Sequence, residues 1–102
     1  MPNDLIATRR LVASRPGEAE FTITVGIGAP APFAGDEWTC FVKLDGLFSG
    51  RAVHASDSWQ ALMLAQALAR QLLTHFVEDG GTLRDSATNE PVDVTRLFAG
   101  GI

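Results

Sequence analysis

Apolar and polar residues alternate in two stretches of the chain, and this alternation predicts β-strands. Between residues 20 and 28 every second residue is apolar: Phe21, Ile23, Val25 and Ile27. The same period of two runs through residues 38–44, beginning at Trp38. A period of two places apolar side chains on one face of a strand and polar side chains on the other. Both stretches are therefore predicted strands with one face on the core.

Turn signals join these strands to two more, at residues 5–14 and 47–55, which are rich in aliphatic residues. The Pro-Gly pair at 16–17 predicts a turn after the first strand, because proline fixes φ and glycine accepts a positive φ. The Asp-Gly pair at 45–46 predicts a tight hairpin between the third and fourth strands. The segment 28–37 between the second and third strands is predicted to be a loop, since its prolines lack the N–H that a strand pairing needs.

The register of the fourth strand has two solutions. A two-residue turn places Ser49 and Arg51 on the core face. A bulge at residues 49–50 instead turns Ala52 and His54 inward. Both solutions are compatible with the sequence.

One long helix is predicted over residues 57–78. Its apolar residues recur at spacings of three and four and form a broad stripe: Ala61, Leu62, Ala65, Leu68, Ala69, Leu72, Leu73 and Phe76. Asp57 is the predicted N-cap with Gln60 in the capping-box position, and the glycines at 80–81 end the helix. Arg70 is the single Lys or Arg on the polar side, which is unlike a membrane-surface helix. The helix is therefore predicted to cover the apolar face of the protein's own sheet.

These elements predict an α+β fold in one domain that spans residues 1–102. The sheet is antiparallel, with about four strands in meander order and the long helix packed on one face. Residues 82–102 are predicted to form a short hairpin or turn, with a helical turn at residues 94–98. The composition agrees with this class, because a chain of 102 residues with 46% apolar and 20% charged residues is typical of one globular domain.

The charge balance argues against nucleic acid as a partner. The net charge is −4 and the eight basic residues are scattered, whereas phosphate binding needs clustered Lys and Arg. No apolar run approaches the span of a bilayer, so no membrane partner is expected. The N-terminal residues lack the pattern of a signal peptide, and the single cysteine, Cys40, fits a reducing compartment. These features predict a cytoplasmic location.

Candidate chemistry concentrates where the fourth strand meets the helix. Arg51, His54 and Asp57 lie close together there, and the His-x-x-Asp spacing can orient an imidazole. No nucleophile is linked to them in sequence, and Asp57 is already the predicted cap, so ordinary polar clustering at a helix start is the simpler explanation. Phe33, in the middle of the 28–37 loop, is a candidate contact residue, because nearby prolines limit the entropy that a partner would have to remove.

No catalytic residue, metal site or cofactor is predicted. Two distant histidines and one cysteine give none of the compact spacings that zinc sites use. The Gly-x-Gly of "GIGAP" is followed by prolines rather than by a helix, so it is not a phosphate-binding loop. Cys40 lies on the apolar face of the third strand with no cation nearby in sequence, which favours a structural cysteine.

The stretches "IATRRLV", "VGIGAP", "WTCFVKLDG" and "DSWQALMLA" together resemble a family of small bacterial proteins known only as a domain of unknown function. The resemblance covers about Leu5 to Leu73, and the chain from Thr82 departs from the family. The matching stretches correspond to a turn, a buried strand and a helix cap, which are framework features. The resemblance therefore implies a bacterial origin and implies no activity.

The sequence supports two functional hypotheses. The first is a non-enzymatic binding or protein-interaction module of an accessory or immunity type, favoured by the acidic surface and the absence of a catalytic set. The alternative is a small enzyme or ligand-binding domain at the junction of the fourth strand and the helix. A homodimer is compatible with either, because exposed sheet edges invite pairing with another copy, although Arg9, Arg10 and Pro16 are residues that blunt edges.

Overall fold

The computed structural model describes residues 4–99, which fold into one antiparallel sheet with a long and a short helix. The α+β class predicted from the sequence is confirmed. The six strands are β1 (Leu5–Ser14), β2 (Phe21–Gly28), β3 (Ala31–Pro32), β4 (Trp38–Asp45), β5 (Phe48–Ala55) and β6 (Thr82–Asp85). The helices are α1 (Ser58–Glu78) and α2 (Val94–Ala99).

The sheet runs in the order β5-β4-β2-β1-β6. The four predicted strands are β1, β2, β4 and β5, and they form the predicted meander. Short β3 continues the line of β2: β2 pairs with residues 42–45 of β4 and β3 with residues 38–39, while β5 pairs along the other edge. Strand β6, from the C-terminal tail, joins the sheet beside β1.

Helix α1 covers the sheet chiefly over β4 and β5, as the apolar stripe predicts. Its buried residues are mostly small: Ala61, Ala65, Ala69, Leu73 and Phe76. Alanines at a spacing of four let the helix backbone approach the strands closely. Leu68 and Leu72 are only half buried, so the centre of the stripe lies along the alanines. No helix in the described part of the chain is long and apolar enough to cross a membrane.

The facing sheet residues complete a single core. They are Leu11 and Ala13 of β1, Ile23, Val25 and Ile27 of β2, Cys40, Val42 and Leu44 of β4, and Leu83 of β6. Every second residue of β2 and β4 takes part, which is the period of two seen in the sequence. In the described chain no charged or polar side chain is buried with them.

Strand β5 combines a wider turn with a bulge. The predicted Asp-Gly turn is present, because the N–H of Leu47 donates to the carbonyl of Leu44 at 2.9 Å and Gly46 has a φ of 97°. Leu44 pairs with Phe48, however, so the hairpin loop holds three residues and the predicted two-residue register is wrong. The register then slips by one residue around Gly50, and Val42 pairs with Arg51. The slip is tolerated because Gly50 has a φ of 114°, which other residues rarely adopt.

The extra loop residue and the bulge each shift the β4–β5 register by one residue, and either shift alone would exchange the two faces of β5. Together the two shifts restore the original faces, and this determines which side chains of β5 face α1. Arg51, Val53 and Ala55 lie on the same face as the core residues of β4, because they pair with them. Ala52 and His54 lie on the outer face and are exposed, so the inward placement considered for them is wrong. The bulge is present at residues 49–50, where the sequence indicates one. Its exchange of the two faces of β5 is reversed by the extra residue in the turn.

The predicted ends of α1 are confirmed. Oδ1 of Asp57 accepts a hydrogen bond from the backbone N–H of Gln60 at 2.7 Å, and Oε1 of Gln60 accepts one from the N–H of Ser56 at 3.1 Å. The helix ends at Glu78. The N–H groups of the next two glycines then bond back to carbonyls of the last turn, at 3.0 and 2.9 Å, with Gly80 at a φ of 99°.

The tail forms the predicted hairpin and helical turn. The N–H of Asp85 donates to the carbonyl of Glu90 at 2.8 Å, and the N–H of Val92 donates to Leu83 at 2.9 Å. Helix α2 follows and packs Leu97 against the core cluster. Residues 100–102 of the predicted appendage lie outside the described residues.

Candidate functional site

Three side chains meet on the outer face at the end of β5, and we call them the His54 cluster: Phe33, Glu37 and His54. Nδ1 of His54 lies 2.5 Å from Oε1 of Glu37. The Phe33 ring meets the imidazole edge-on, with 5.1 Å between ring centroids. Both side chains are partly exposed to solvent, so water competes for this contact. The cluster joins a carboxylate, an imidazole and an apolar ring at one point of the surface.

The cluster assembles because the loop between β2 and β4 folds back on itself. Strand β3 pairs with the start of β4. The N–H of Phe33 then donates to the carbonyl of Glu37 at 2.8 Å, and the N–H of Glu37 donates to Ala34 at 3.0 Å. In the neighbouring ladder Thr39 pairs with His54, which brings the imidazole beside the turn. The prediction of a loop over the whole of residues 28–37 is therefore wrong in part: Ala31–Pro32 form β3 despite the proline, and a compact turn follows.

Phe33 presents most of its ring to solvent, with 64% of its surface exposed. Single exposed apolar residues are common on protein surfaces. This one differs because backbone hydrogen bonds and the contact with His54 restrict its position. Little conformational entropy would therefore be lost when a partner covers it.

A groove of about 680 Å³ opens beside the cluster, between the turn and the first half of α1. Asp36 and Glu37 line one side of it, and Gln60 and Leu64 line the other. Ser56, at the junction of β5 and α1, also contributes. The groove is thus acidic on the side of the turn and has an apolar residue on the side of the helix.

The other two candidate residues have different positions. The carboxylate of Asp57 bonds to the backbone of α1, as a helix cap does. Arg51 lies on the helix-facing side of β5, whereas His54 lies on the outer face. The structure therefore brings Phe33 and His54 of the four candidates into contact. Arg51 and His54 lie on opposite faces of β5 but both line a groove of about 540 Å³ beside α1, and Asp57 caps the helix.

The arrangement around His54 does not include an activated nucleophile. Within residues 4–99, Glu37 is the only polar partner of the imidazole, and no Ser, Thr or Cys side chain bonds to it. Cys40 is buried on the core side of β4, where its thiol donates to the carbonyl of Gly28 at 3.2 Å. Burial raises the pKa of the Cys40 thiol, which keeps it protonated, whereas a nucleophilic cysteine needs a lowered pKa.

The described chain also contains no cluster that suits a metal ion. Nowhere in residues 4–99 do three His, Cys, Asp or Glu side chains converge as metal ligands do. Glu37 and His54 form a pair with no third ligand of this kind.

Glu37 is the member of the cluster that the sequence analysis missed. It precedes Trp38, and the pairing of Trp38 with Ala55 brings it level with the end of β5. The register between β4 and β5 is the feature that would have placed Glu37 beside His54. That register depends on the turn and the bulge together, which local sequence does not specify.

No family model matches the chain, and no curated protein and no solved structure is similar to it. The resemblance to a bacterial family of unknown function therefore stays a prediction.

Proposed function

We propose that this protein is a non-enzymatic protein-interaction module, of an accessory or immunity type, that acts in the bacterial cytoplasm. Its contact surface is the His54 cluster with the adjoining groove. The observation that carries the proposal is Phe33, an exposed aromatic ring on a backbone turn that is already ordered.

Aromatic side chains supply much of the binding energy at protein interfaces, because they bury a large apolar area with few rotatable bonds. A partner that covers Phe33 would gain this area without first ordering the loop. Asp36 and Glu37 add negative charge beside the ring, and no Lys or Arg of the described residues lines the groove. The surface therefore suits a protein segment that carries an apolar pocket or side chain next to basic residues.

A displayed library of random peptides tests the proposal, because selection on the protein itself needs no natural partner in hand. Peptides selected on the immobilised wild-type protein are expected to bind at the His54 cluster. Phe33→Ala should weaken the best synthetic peptide by roughly tenfold or more, as the loss of an aromatic anchor does. Binding is measured by fluorescence anisotropy, and amide chemical shifts locate the bound peptide.

Ile6→Ala is the matched control. Ile6 is 61% exposed, close to the value for Phe33, but it lies at the start of β1. This variant is expected to bind the peptide as the wild type does. A selection that enriches no peptide, or a peptide that binds both variants equally, would contradict the proposal.

The alternative function is a ligand-binding domain or small enzyme at the same place. The contact between His54 and Glu37 favours it, because a carboxylate at Nδ1 can orient an imidazole toward a small molecule in the groove. The alternative function predicts a small-molecule ligand that shifts the imidazole resonances of His54 and that binds more weakly to the Glu37→Gln variant than to the wild type. Such a ligand, together with a failed peptide selection, would favour the alternative over the interaction module.

A further inference from the structure

The outward side of α1 is unusual for a helix on a protein surface. Residues 58–69, between Asp57 and Arg70, contain no Asp, Glu, Lys, Arg or His. A surface helix normally turns charged and polar residues toward water. The exposed residues of this stretch are four apolar and three uncharged polar ones: Trp59, Met63, Leu64 and Ala67, with Ser58, Gln60 and Gln66. This side of α1 therefore resembles the core of a protein interface, where charged residues are depleted.

Three of these apolar residues form a row. Trp59, Met63 and Ala67 follow one another at a spacing of four, which places them on one side of the helix, and Arg70 continues the row. We call these four residues the Trp59 surface. Trp59 is 74% exposed, the largest fraction for a large apolar residue in the described chain, and Met63 is 49% exposed. Because tryptophan is among the residues that most often anchor protein contacts, the row has the composition of a contact surface.

A hollow of about 220 Å³ adds depth to the Trp59 surface. It lies between α1 and the end of α2, and it is lined by Met63, Gln66, Ala67, Arg70 and Phe98. Phe98 also packs against the core cluster, so the wall that it forms is held in place. The small side chain of Ala67 leaves space that an apolar side chain of a partner can fill.

Arg70 is a cation without a partner in the described chain. It forms no ion pair and no side-chain hydrogen bond within residues 4–99, and none of the described residues that line the hollow is an Asp or Glu. A carboxylate beside Arg70 would accept charge-assisted hydrogen bonds, which a guanidinium can donate in pairs. The Trp59 surface therefore suits an acidic partner, whereas the groove beside the His54 cluster, with Asp36 and Glu37, suits a basic one.

The backbone of α1 determines which kind of segment can cover this surface. The N–H and C=O groups within α1 bond to one another along the helix, so a partner receives no backbone hydrogen bonds from them. A segment that is buried here must satisfy its own backbone groups, and a helix does so within itself. A row of side chains on one helix also packs between the side-chain rows of another. The surface therefore suits a helix rather than an extended strand.

A second copy of this chain and a membrane suit the surface less well. In a two-fold pair the Trp59 surface would meet itself, and Arg70 would face a surface that contains no carboxylate. A membrane-surface helix carries several Lys or Arg residues on its polar side, whereas Arg70 is the single one on α1, and the chain has a net charge of −4.

We infer that a helix of a partner protein packs along the Trp59 surface, with an apolar side chain in the hollow and an Asp or Glu beside Arg70. Trp59 is the anchor of this contact, and Met63 and Ala67 pack against the apolar row of the partner helix. The contact uses none of the residues of the His54 cluster, so the inference goes beyond the proposed function and does not depend on it.

A library displayed on a stable helical hairpin, with one outward face randomised, tests the inference. Selection uses the full-length Phe33→Ala variant, so that binders of the His54 cluster are not enriched. The enriched helices are expected to carry Asp or Glu next to apolar residues and to bind the wild type with the same affinity. Fluorescence anisotropy measures the affinity, and amide and indole chemical shifts of the protein locate the binder.

Trp59→Ala should weaken these binders by roughly tenfold or more, through loss of the aromatic anchor. Arg70→Glu should weaken them to a similar degree, because it places like charges together. Ile6→Ala is the matched control for the first variant, since Ile6 is 61% exposed, and Arg10→Glu is an equal change of charge on β1. Both controls should bind as the wild type does, and circular dichroism checks that every variant is folded.

A selection that enriches no helix, or only basic helices, would overturn the inference, as would binders that keep their affinity for Trp59→Ala or Arg70→Glu. A wild-type mass near twice 10.9 kDa that Trp59→Ala returns to 10.9 kDa would overturn it too, because a second copy would then cover the surface. Binding to vesicles of phosphatidylcholine and phosphatidylglycerol that Trp59→Ala abolishes would have the same consequence. None of these outcomes affects the peptide test of the His54 cluster, which is read at Phe33.

Discussion

Arg9 and Asp85 lie 76 residues apart in the sequence, and Nη2 of the arginine donates to Oδ2 of the carboxylate at 2.7 Å. The other carboxylate oxygen accepts the backbone N–H groups of Ala87 at 2.7 Å and Thr88 at 3.2 Å. One side chain thus orders the turn after β6 and ties it to β1. Asp85 is the centre of the tail's attachment to the sheet.

Asp85 makes the stability of the fold depend on pH in the acid range. The N–H groups of Ala87 and Thr88, and to a lesser extent Arg9, lower the pKa of the Asp85 carboxyl. A carboxyl whose pKa is lowered in the folded state stabilises that state at pH values above the unfolded-state pKa of about 3.9. This stabilisation is lost as the pH falls through the folded-state pKa. Urea unfolding of the wild type and Asp85→Ala should therefore differ at neutral pH and converge in acid. A difference that persists unchanged at the lowest pH would show that the carboxylate is not its source.

Leu73→Ala should destabilise the domain by about 2–5 kcal/mol, the range for truncation of a well-buried leucine. Leu73 is fully buried between α1 and the sheet. Leu68→Ala and Leu72→Ala should each have a smaller effect, because these side chains are only partly buried. Urea melts of the three variants measure this order, and an equal loss in all three would mean that α1 is rotated from the position described.

Asp57→Ala should lower the free energy of unfolding by roughly 0.5–2 kcal/mol through loss of the N-cap bond. Asp57→Asn is the control, because an asparagine oxygen also accepts a hydrogen bond from the helix start. Neither variant should alter peptide binding at the His54 cluster. If Asp57→Ala kept full stability but lost binding, Asp57 would belong to the contact surface rather than to the helix cap.

Cys40 should resist thiol reagents in the folded protein. Its side chain is buried and donates to the carbonyl of Gly28, and burial raises the pKa of its thiol. Since the thiolate is the reactive form, alkylation requires the chain to open. Labelling by iodoacetamide should proceed at a slow rate that rises with urea toward the rate of the unfolded chain. Rapid labelling without denaturant would place the thiol at the surface.

The parts of this protein that the sequence determines are those set by neighbours along the chain. The alternation in β2 and β4 places their apolar residues on one face, whatever lies above them. The Asp57 carboxylate and the Gly80 backbone start and end α1 through bonds within the nearest turn. These local patterns were sufficient for the α+β class, the meander of four strands and the covering helix.

Only the tertiary structure determined the features that depend on contacts between distant segments of the chain. The face of the sheet on which His54 lies depends on a three-residue turn and a bulge, each of which shifts the register by one residue. A prediction that misses either shift places His54 on the wrong face. Glu37 meets His54 only in that register, and β6, which follows α1 in the chain, pairs with β1 far from it in sequence. No local pattern marks these pairings, because their stability comes from the hydrogen bonds and apolar area that form when remote segments meet. The local sequence therefore determines the framework of this protein, whereas the assembled fold determines the His54 cluster.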